Sequence, residues 1–198
     1  ITCKKRFIFI VNSGDCKKYH LHNTLNLLCE NECKIIKVNN ETKGAACSAL
    51  MAIEYINNDY PLIISNADQI IDADFNQVLD NFESYDAGVI TFESVHPRWS
   101  YIRKNTQGDI VETSEKNPIS KDAIAGFYYF SQGKDFCDAA MSSITKDASV
   151  NGLYFVAPVF NELVLQNKKL TSYALSNNFY HTFYTPNKIK EYESLSKC

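Results

Sequence analysis

Apolar and polar positions alternate between two periods along this chain, and the switches mark its elements. Residues 7–11 (Phe-Ile-Phe-Ile-Val) form an apolar run of strand length, and residues 19–28 carry Leu21, Leu25 and Leu28 at helical spacing. Residues 33–38 form a second β-rich run. Residues 44–56 are Ala-rich, with Ala46, Leu50, Ala52, Ile53 and Ile56 predicting a helix. A third strand is expected over 61–65, a helix over 75–82 and a fourth strand over 87–92. Strands separated by helices in this way predict parallel pairing through right-handed crossovers. The second half changes character. Short strands at 101–103, 110–113 and 125–130 are separated by turn formers such as Asn105-Thr106-Gln107-Gly108-Asp109, which suits antiparallel pairing. Helices over 134–144 and 154–166, a strand over 170–175 and a closing helix over 186–195, with Pro186 in its first turn, complete the pattern. The expected fold is α/β: a Rossmann-like, mixed and mainly parallel sheet flanked by helices, with a small antiparallel region in the second half.

Composition narrows the picture. The 198 residues fit a single domain with a full core. A net charge of −3 does not provide the basic face that a nucleic-acid backbone requires, so small molecules or proteins are the expected partners. No apolar run approaches the length of a membrane span, and residues 4–11 are too short for a signal sequence, so a soluble cytoplasmic protein is expected. The seven cysteines are scattered. Cys29 and Cys33 have no second Cys or His pair at finger spacing, which argues against zinc and for reduced thiols.

The most informative stretch is residues 61–71, where an apolar run ends in Ser65-Asn66-Ala67-Asp68-Gln69. A buried strand would here deliver Asp68 to the sheet's carboxyl edge, where open α/β sheets bind ligands and where one carboxylate can hold Mg²⁺ together with substrate phosphates. The alternative is a turn former ahead of a helix capped by Asp72 or Asp74. Thr42-Lys43-Gly44-Ala45-Ala46-Cys47 opens a helix beside the same edge; it reads either as a close-approach site for a ligand or as a helix start capped by Thr42. Glu115-Lys116-Asn117-Pro118 sets opposite charges at a strand end. The carboxylate suits sugar hydroxyls and the ammonium a phosphate, although a solvated turn explains the pair equally. In His96-Pro97-Arg98-Trp99-Ser100-Tyr101, the aromatic rings can stack on a base or sugar and Arg98 can meet phosphate, or Trp99 can anchor the core. His20 and His22 do not share a helix face, His181 has no supporting neighbours, and neither a Walker loop nor a nucleophile-base spacing occurs.

Taken in order, these segments, with Gly126-Phe127-Tyr128-Tyr129-Phe130, Val150-Asn151-Gly152 and Pro158-Val159-Phe160-Asn161, resemble the sugar-phosphate nucleotidyltransferase family, and most closely its bacterial capsule and surface-polysaccharide branch. The resemblance implies a GT-A-type fold and the reaction of an NTP with a phosphorylated metabolite to give a nucleotide-activated product and pyrophosphate. Carried over by position, it implies that Asp68 holds Mg²⁺ and acts in catalysis with Lys116. Gly44 and Ala45 would lie beside the base, and Thr42, Asn66, Gln69, Glu115, Gly126 and Asn151 would line the substrate pocket. The family's first strand and Gly-rich, Arg-bearing loop precede the point where the likeness starts, so an N-terminally incomplete domain is expected, with a homo-oligomer or a partner segment covering the open strand edge. Leu153 stands where this branch has Glu, and Phe183-Tyr184-Thr185-Pro186 replaces Leu-Gly-Thr-Pro. Two other readings stay open: a metal-dependent glycosyltransferase using Asn66-Ala67-Asp68, and a non-catalytic relative that binds ligand or a partner.

Overall fold

The computed structural model describes residues 1–195. Strand β1 (Phe7–Asn12) runs straight into helix α1 (Ser13–Lys18), because the Asn12 side chain accepts from the N–H groups of Gly14 and Asp15. His20, at φ 52°, breaks the chain before α2 (Leu21–Leu28), so the helix expected from residue 19 starts two residues later. Strand β2 (Cys33–Val38) then pairs parallel to β1, with Phe7 opposite Cys33. The single helix expected over 44–56 is two pieces, α3 (Ala45–Leu50) and α4 (Ile53–Ile56). Met51 and Ala52 donate three residues back, to Ser48 and Ala49, and this tighter winding turns the axis while Ala46, Ala49, Ala52 and Ile56 stay buried.

Strand β3 (Leu62–Ser65) is followed by the three-residue strand β4 (Gln69–Ile71) and by α5 (Phe75–Phe82). Asp74 is the cap of α5, accepting from the Asn76 N–H at 2.9 Å. Strands β5 (Ala87–Glu93), β6 (Ser100–Lys104), β7 (Ile110–Glu115) and β8 (Asp122–Phe130) follow, then α6 (Gly133–Thr145), α7 (Val156–Leu165) and β9 (Leu170–Ala174). A short 3-10 turn leads into β10 (Tyr180–Thr182), and α8 (Pro186–Leu195) closes the chain.

The central sheet runs β7-β6-β8-β5-β9, with β3 also on β8. Parallel pairing joins β1 to β2 and β5 to β9; β3, β5 and β6 all run antiparallel to β8. The third strand therefore pairs antiparallel rather than parallel, because its neighbour is the long strand of the second half. β3 takes residues 127–130 of β8 and β6 meets it at Ala123, so the two share one side of that strand. Alternation along β8 sends Ile124, Tyr128 and Phe130 into a core beneath α3, α4, α6 and α7. Ala125, Phe127 and Tyr129 enter a smaller core beneath α5. Phe130 meets Phe136 and Phe160 in tilted contacts, each with ring centres 5.2 Å apart, and burial of each such ring stabilises the fold by about 2–3 kcal/mol.

Ile8, Ile10 and Ile36 pack on the same helix-covered core as Leu62 and Ile64. The β1–β2 pair thus extends the central layer although no strand hydrogen bonds join the two sheets among the described residues. Cys3, Cys16, Cys29, Cys33, Cys47 and Cys137 are free thiols. No described helix is long and apolar enough to cross a membrane.

Candidate functional site

The site is built around an irregularity in β8. Between Val89 and Thr91, one residue of β5 faces three of β8, and the middle one, Gly126, has φ +58°. The bulge turns the Gly126 carbonyl towards the end of β3, where it accepts from the Asn66 N–H at 3.0 Å and from Gln69 Nε2 at 3.0 Å. A Cβ at Gly126 would collide with Asn66 Nδ2 and lie 2.8 Å from Gln69 Oε1, so these three sequence-predicted residues form one close-packed unit. Tyr180, which the sequence reading did not single out, donates its hydroxyl to Gln69 Oε1 at 3.1 Å. Its ring meets Phe92 at 4.5 Å and Trp99 at 6.0 Å. Burial pushes the Tyr180 phenol well above its usual range, with Tyr128 and Asp68 adding to the shift and Arg98 opposing it.

Asp68 follows the end of β3 on an exposed turn. Its carbonyl accepts from the Phe183 N–H at 2.8 Å, and β4 pairs with β10 so that Gln69 faces Thr182. The Asp68 carboxylate makes no hydrogen bond or ion pair among the described residues, and no described group of three or more His, Cys, Asp and Glu residues is placed to hold a metal. The available donor set is thus one carboxylate. That fits Mg²⁺, which keeps several waters and is commonly held by one or two carboxylates together with substrate phosphates.

Glu115 and Lys116 lie at the end of β7. Ser100 donates to Glu115 Oε2 at 2.5 Å across the β6–β7 pair. Burial raises the Glu115 carboxyl above its usual range, while the Ser100 hydroxyl and the Lys116 ammonium pull it back. Lys116 adopts φ 57°, a left-handed conformation uncommon outside glycine, and donates its N–H to the Trp99 carbonyl at 3.0 Å. That turn lets two neighbours leave the strand in usable directions: Lys116 Nζ lies 4.8 Å from the Phe155 ring centre.

The Thr42 hydroxyl bonds to the Gly44 carbonyl at 3.1 Å and to Ser48 Oγ at 2.6 Å. The residue capping α3 is Gly44 itself, without a side-chain bond, so Thr42 orders the turn instead of capping the helix. Gly44 has φ +105° and presses against the Tyr154 backbone. The Tyr154 N–H donates to the Lys43 carbonyl at 2.7 Å, and the Ala46 N–H donates to the Tyr154 carbonyl at 3.0 Å. The close approach at Gly44 is therefore made by this chain's own backbone, and Ala45 remains exposed beside it. Asn151 and Gly152, both at positive φ, form a two-residue turn closed by reciprocal Val150–Leu153 bonds. The Asn151 side chain is exposed and makes no hydrogen bond among the described residues.

A cavity of about 310 Å³ against β10 is lined by Phe92, Trp99, Tyr180, Tyr184 and residues of α8, and none of the sequence-predicted site residues lines it; Asp68, Glu115 and Lys116 lie instead at strand ends, where α/β sheets carry their ligand sites. The family model for nucleotidyl transferases matches residues 6–179, and the chain belongs to that family. No curated protein matches the sequence significantly. Among solved structures, the chain is similar to the nucleoside-diphosphate-sugar pyrophosphorylase from Vibrio cholerae RC9, with TM-score 0.79 and 20% identity over 96% of this chain and 80% of that one. It also resembles the inositol-1-phosphate CTP transferase from T. maritima, with TM-score 0.68 and 15% identity over 97% and 76%. A Bacillus anthracis protein described as a glucose-1-phosphate thymidylyltransferase matches with TM-score 0.69 and 19% identity over 95% and 74%. At these identities the structural likeness establishes the shared fold.

Proposed function

We propose that this protein transfers a nucleotidyl group from an NTP to a sugar phosphate or similar phosphorylated metabolite, releasing pyrophosphate, in the synthesis of surface-polysaccharide precursors. The observation that carries this reading is the family match over residues 6–179, within which Gly126, Gln69 and Asn66 adjoin the Asp68 turn. The motif likeness to the surface-polysaccharide branch supports the pathway assignment, and a cytoplasmic location is part of the same reading.

An acceptor phosphate oxygen attacks the α-phosphorus in line, and the bond to the pyrophosphate leaving group breaks. Glu115, ordered by Ser100, accepts from acceptor hydroxyls, and Lys116 stabilises phosphate charge. Asn66 and Gln69 bound the acceptor pocket beside Gly126. Ala45 borders the nucleotide base at the turn that Gly44 packs against Tyr154 and Thr42 orders, and Asn151 sits on the turn before Tyr154. Asp68 would hold Mg²⁺, which neutralises charge on the phosphates when bound.

Release of pyrophosphate from one NTP and acceptor pair, in a screen of the common NTPs with Mg²⁺ and a panel of sugar phosphates, is the expected result. Free nucleoside diphosphate from a nucleotide sugar would indicate glycosyl transfer instead, and ligand binding with neither product would indicate a non-catalytic relative. Asp68→Asn is expected to abolish Mg²⁺-dependent NTP binding while leaving the circular dichroism spectrum unchanged, since the side chain is exposed and unpaired. Retained Mg²⁺-dependent affinity in this variant would remove Asp68 from the site.

A further inference from the structure

Two thiols meet at the turn that takes α2 into β2, away from every residue assigned to nucleotidyl transfer. Cys29 closes α2, and Cys33 is the first residue of β2, opposite Phe7 of β1. The chain reverses between them through Glu30 and Asn31, at φ 50° and 65°, and the Glu32 N–H closes the turn onto the Cys29 carbonyl at 2.7 Å. One carbonyl gathers both cysteines. Leu25 O accepts from the Cys29 N–H at 3.0 Å and lies 3.8 Å from Cys33 Sγ, which is also 3.5 Å from Asn26 Oδ1. The two side chains hydrogen-bond to each other, and burial, then the neighbouring thiol, hold the Cys29 thiol above its usual range. Both are free and half-buried, so a small solute can reach them. Among the described residues no third His, Cys, Asp or Glu joins them to form a metal-holding group, so the chemistry open to this pair is that of two sulfurs.

We propose that Cys29 and Cys33 are a dithiol modification site that closes to an intramolecular disulfide by exchange with a low-molecular-weight disulfide, clipping the end of α2 to the start of β2. One cysteine, as its thiolate, attacks a sulfur of the small disulfide and expels one small thiolate. The other then attacks the mixed disulfide and expels the second. The cysteine sulfurs are oxidised, the small disulfide is reduced to two thiols, and the two cysteine protons end on those thiols. Sulfurs already in hydrogen-bonding contact need only a small side-chain movement to reach the S–S bond length, and the turn between them is ordered beforehand. The position gives the bond something to hold: β1 and β2 pair with each other and with no other strand among the described residues, so the central ladder does not brace this unit. In a reducing compartment such a pair rests as the dithiol and closes under oxidative load.

The test is mass spectrometry of the native chain after incubation with oxidised glutathione, alkylation of the remaining thiols and digestion with trypsin. Cleavage after Lys18 and Lys34 puts Cys29 and Cys33, and no other cysteine, in one peptide of residues 19–34. That peptide is expected unalkylated and lighter than its reduced form by two hydrogens, a change that dithiothreitol reverses, while the exposed Cys3 carries glutathione. Cys29→Ser and Cys33→Ser should each leave a glutathione adduct on the cysteine that remains. In the oxidised wild type, the β2 amides should exchange with deuterium roughly 10-fold more slowly than in the reduced chain. A 19–34 peptide that is fully alkylated, or that carries glutathione on both cysteines, would overturn the proposal. A closed disulfide with unchanged β2 exchange would overturn its role as a clip. Neither readout involves NTP or acceptor, so the nucleotidyl-transfer reading stands or falls separately.

Discussion

Gly126 and Glu115 show how single residues at this site hold conformations or charge states that the rest of the fold must stabilise. Gly126→Ala forces a Cβ onto Asn66 Nδ2 at a positive φ, which should cost about 1–3 kcal/mol and displace Gln69 from Tyr180. A urea titration combined with acceptor binding checks this; full retention of both would mean that the bulge is not rigid. For Glu115 the sign follows from burial. The unfolded carboxyl titrates at about 4.3, the folded one higher, so folded-state stability falls as pH rises through the raised value. Glu115→Gln removes that loss. The variant should have a higher urea midpoint than wild type at pH 7, the gain should vanish below about pH 4, and acceptor binding should weaken. A lower midpoint at pH 7 would show that the carboxylate is stabilised in place. The places of Asp68 after β3 and of Glu115 and Lys116 at the end of β7 were legible in the sequence, because a strand-length run closed by polar residues is a local signal. Tyr180 was not, since its role depends on Gln69, which is 111 positions away in the chain.

The elements were legible in proportion to their length and burial. α5 was expected over the residues it occupies, and β8 and α6 were placed with only their ends extended, because each buries a continuous face. α1 was missed: Cys16 is its single buried residue, so it leaves no helical period to read. β4 and β10 have three residues each, fewer than an alternating pattern needs. One anchoring contact spans two elements. The Asn161 amide on α7 accepts from the Thr113 N–H at 2.8 Å and donates to the Thr113 carbonyl at 2.9 Å, while the Thr113 hydroxyl donates to the Ala157 carbonyl. This reciprocal pair occupies the Thr113 N–H and carbonyl, which an edge strand would otherwise leave open, and it holds the strand that ends in Glu115. Asn161→Ala should lower stability by about 2 kcal/mol, since both backbone groups lose their partner, and should weaken acceptor binding more than NTP binding. Denaturant unfolding and paired titrations test this; equal weakening of both ligands would mean that the damage is not confined to β7.

At the scale of the whole molecule, the β4–β10 ribbon has a consequence for timing. It joins residues 69–71 to residues 180–182, so the chain between them must be gathered before the ribbon can form. Closing a loop of about a hundred residues costs roughly 2 kcal/mol more than closing one of ten, and only three residue pairs of ladder repay that cost. The ribbon should therefore open on its own: the ribbon's hydrogen-bonded amides should exchange with deuterium much faster than those of Val89 or Tyr128, and equal rates would tie the ribbon to global unfolding. During synthesis at roughly 10 residues per second, about 10 s separate the emergence of Gln69 from that of Tyr180. For that interval a nascent chain has the Asp68 turn without the Tyr180 hydroxyl that anchors Gln69 beside it.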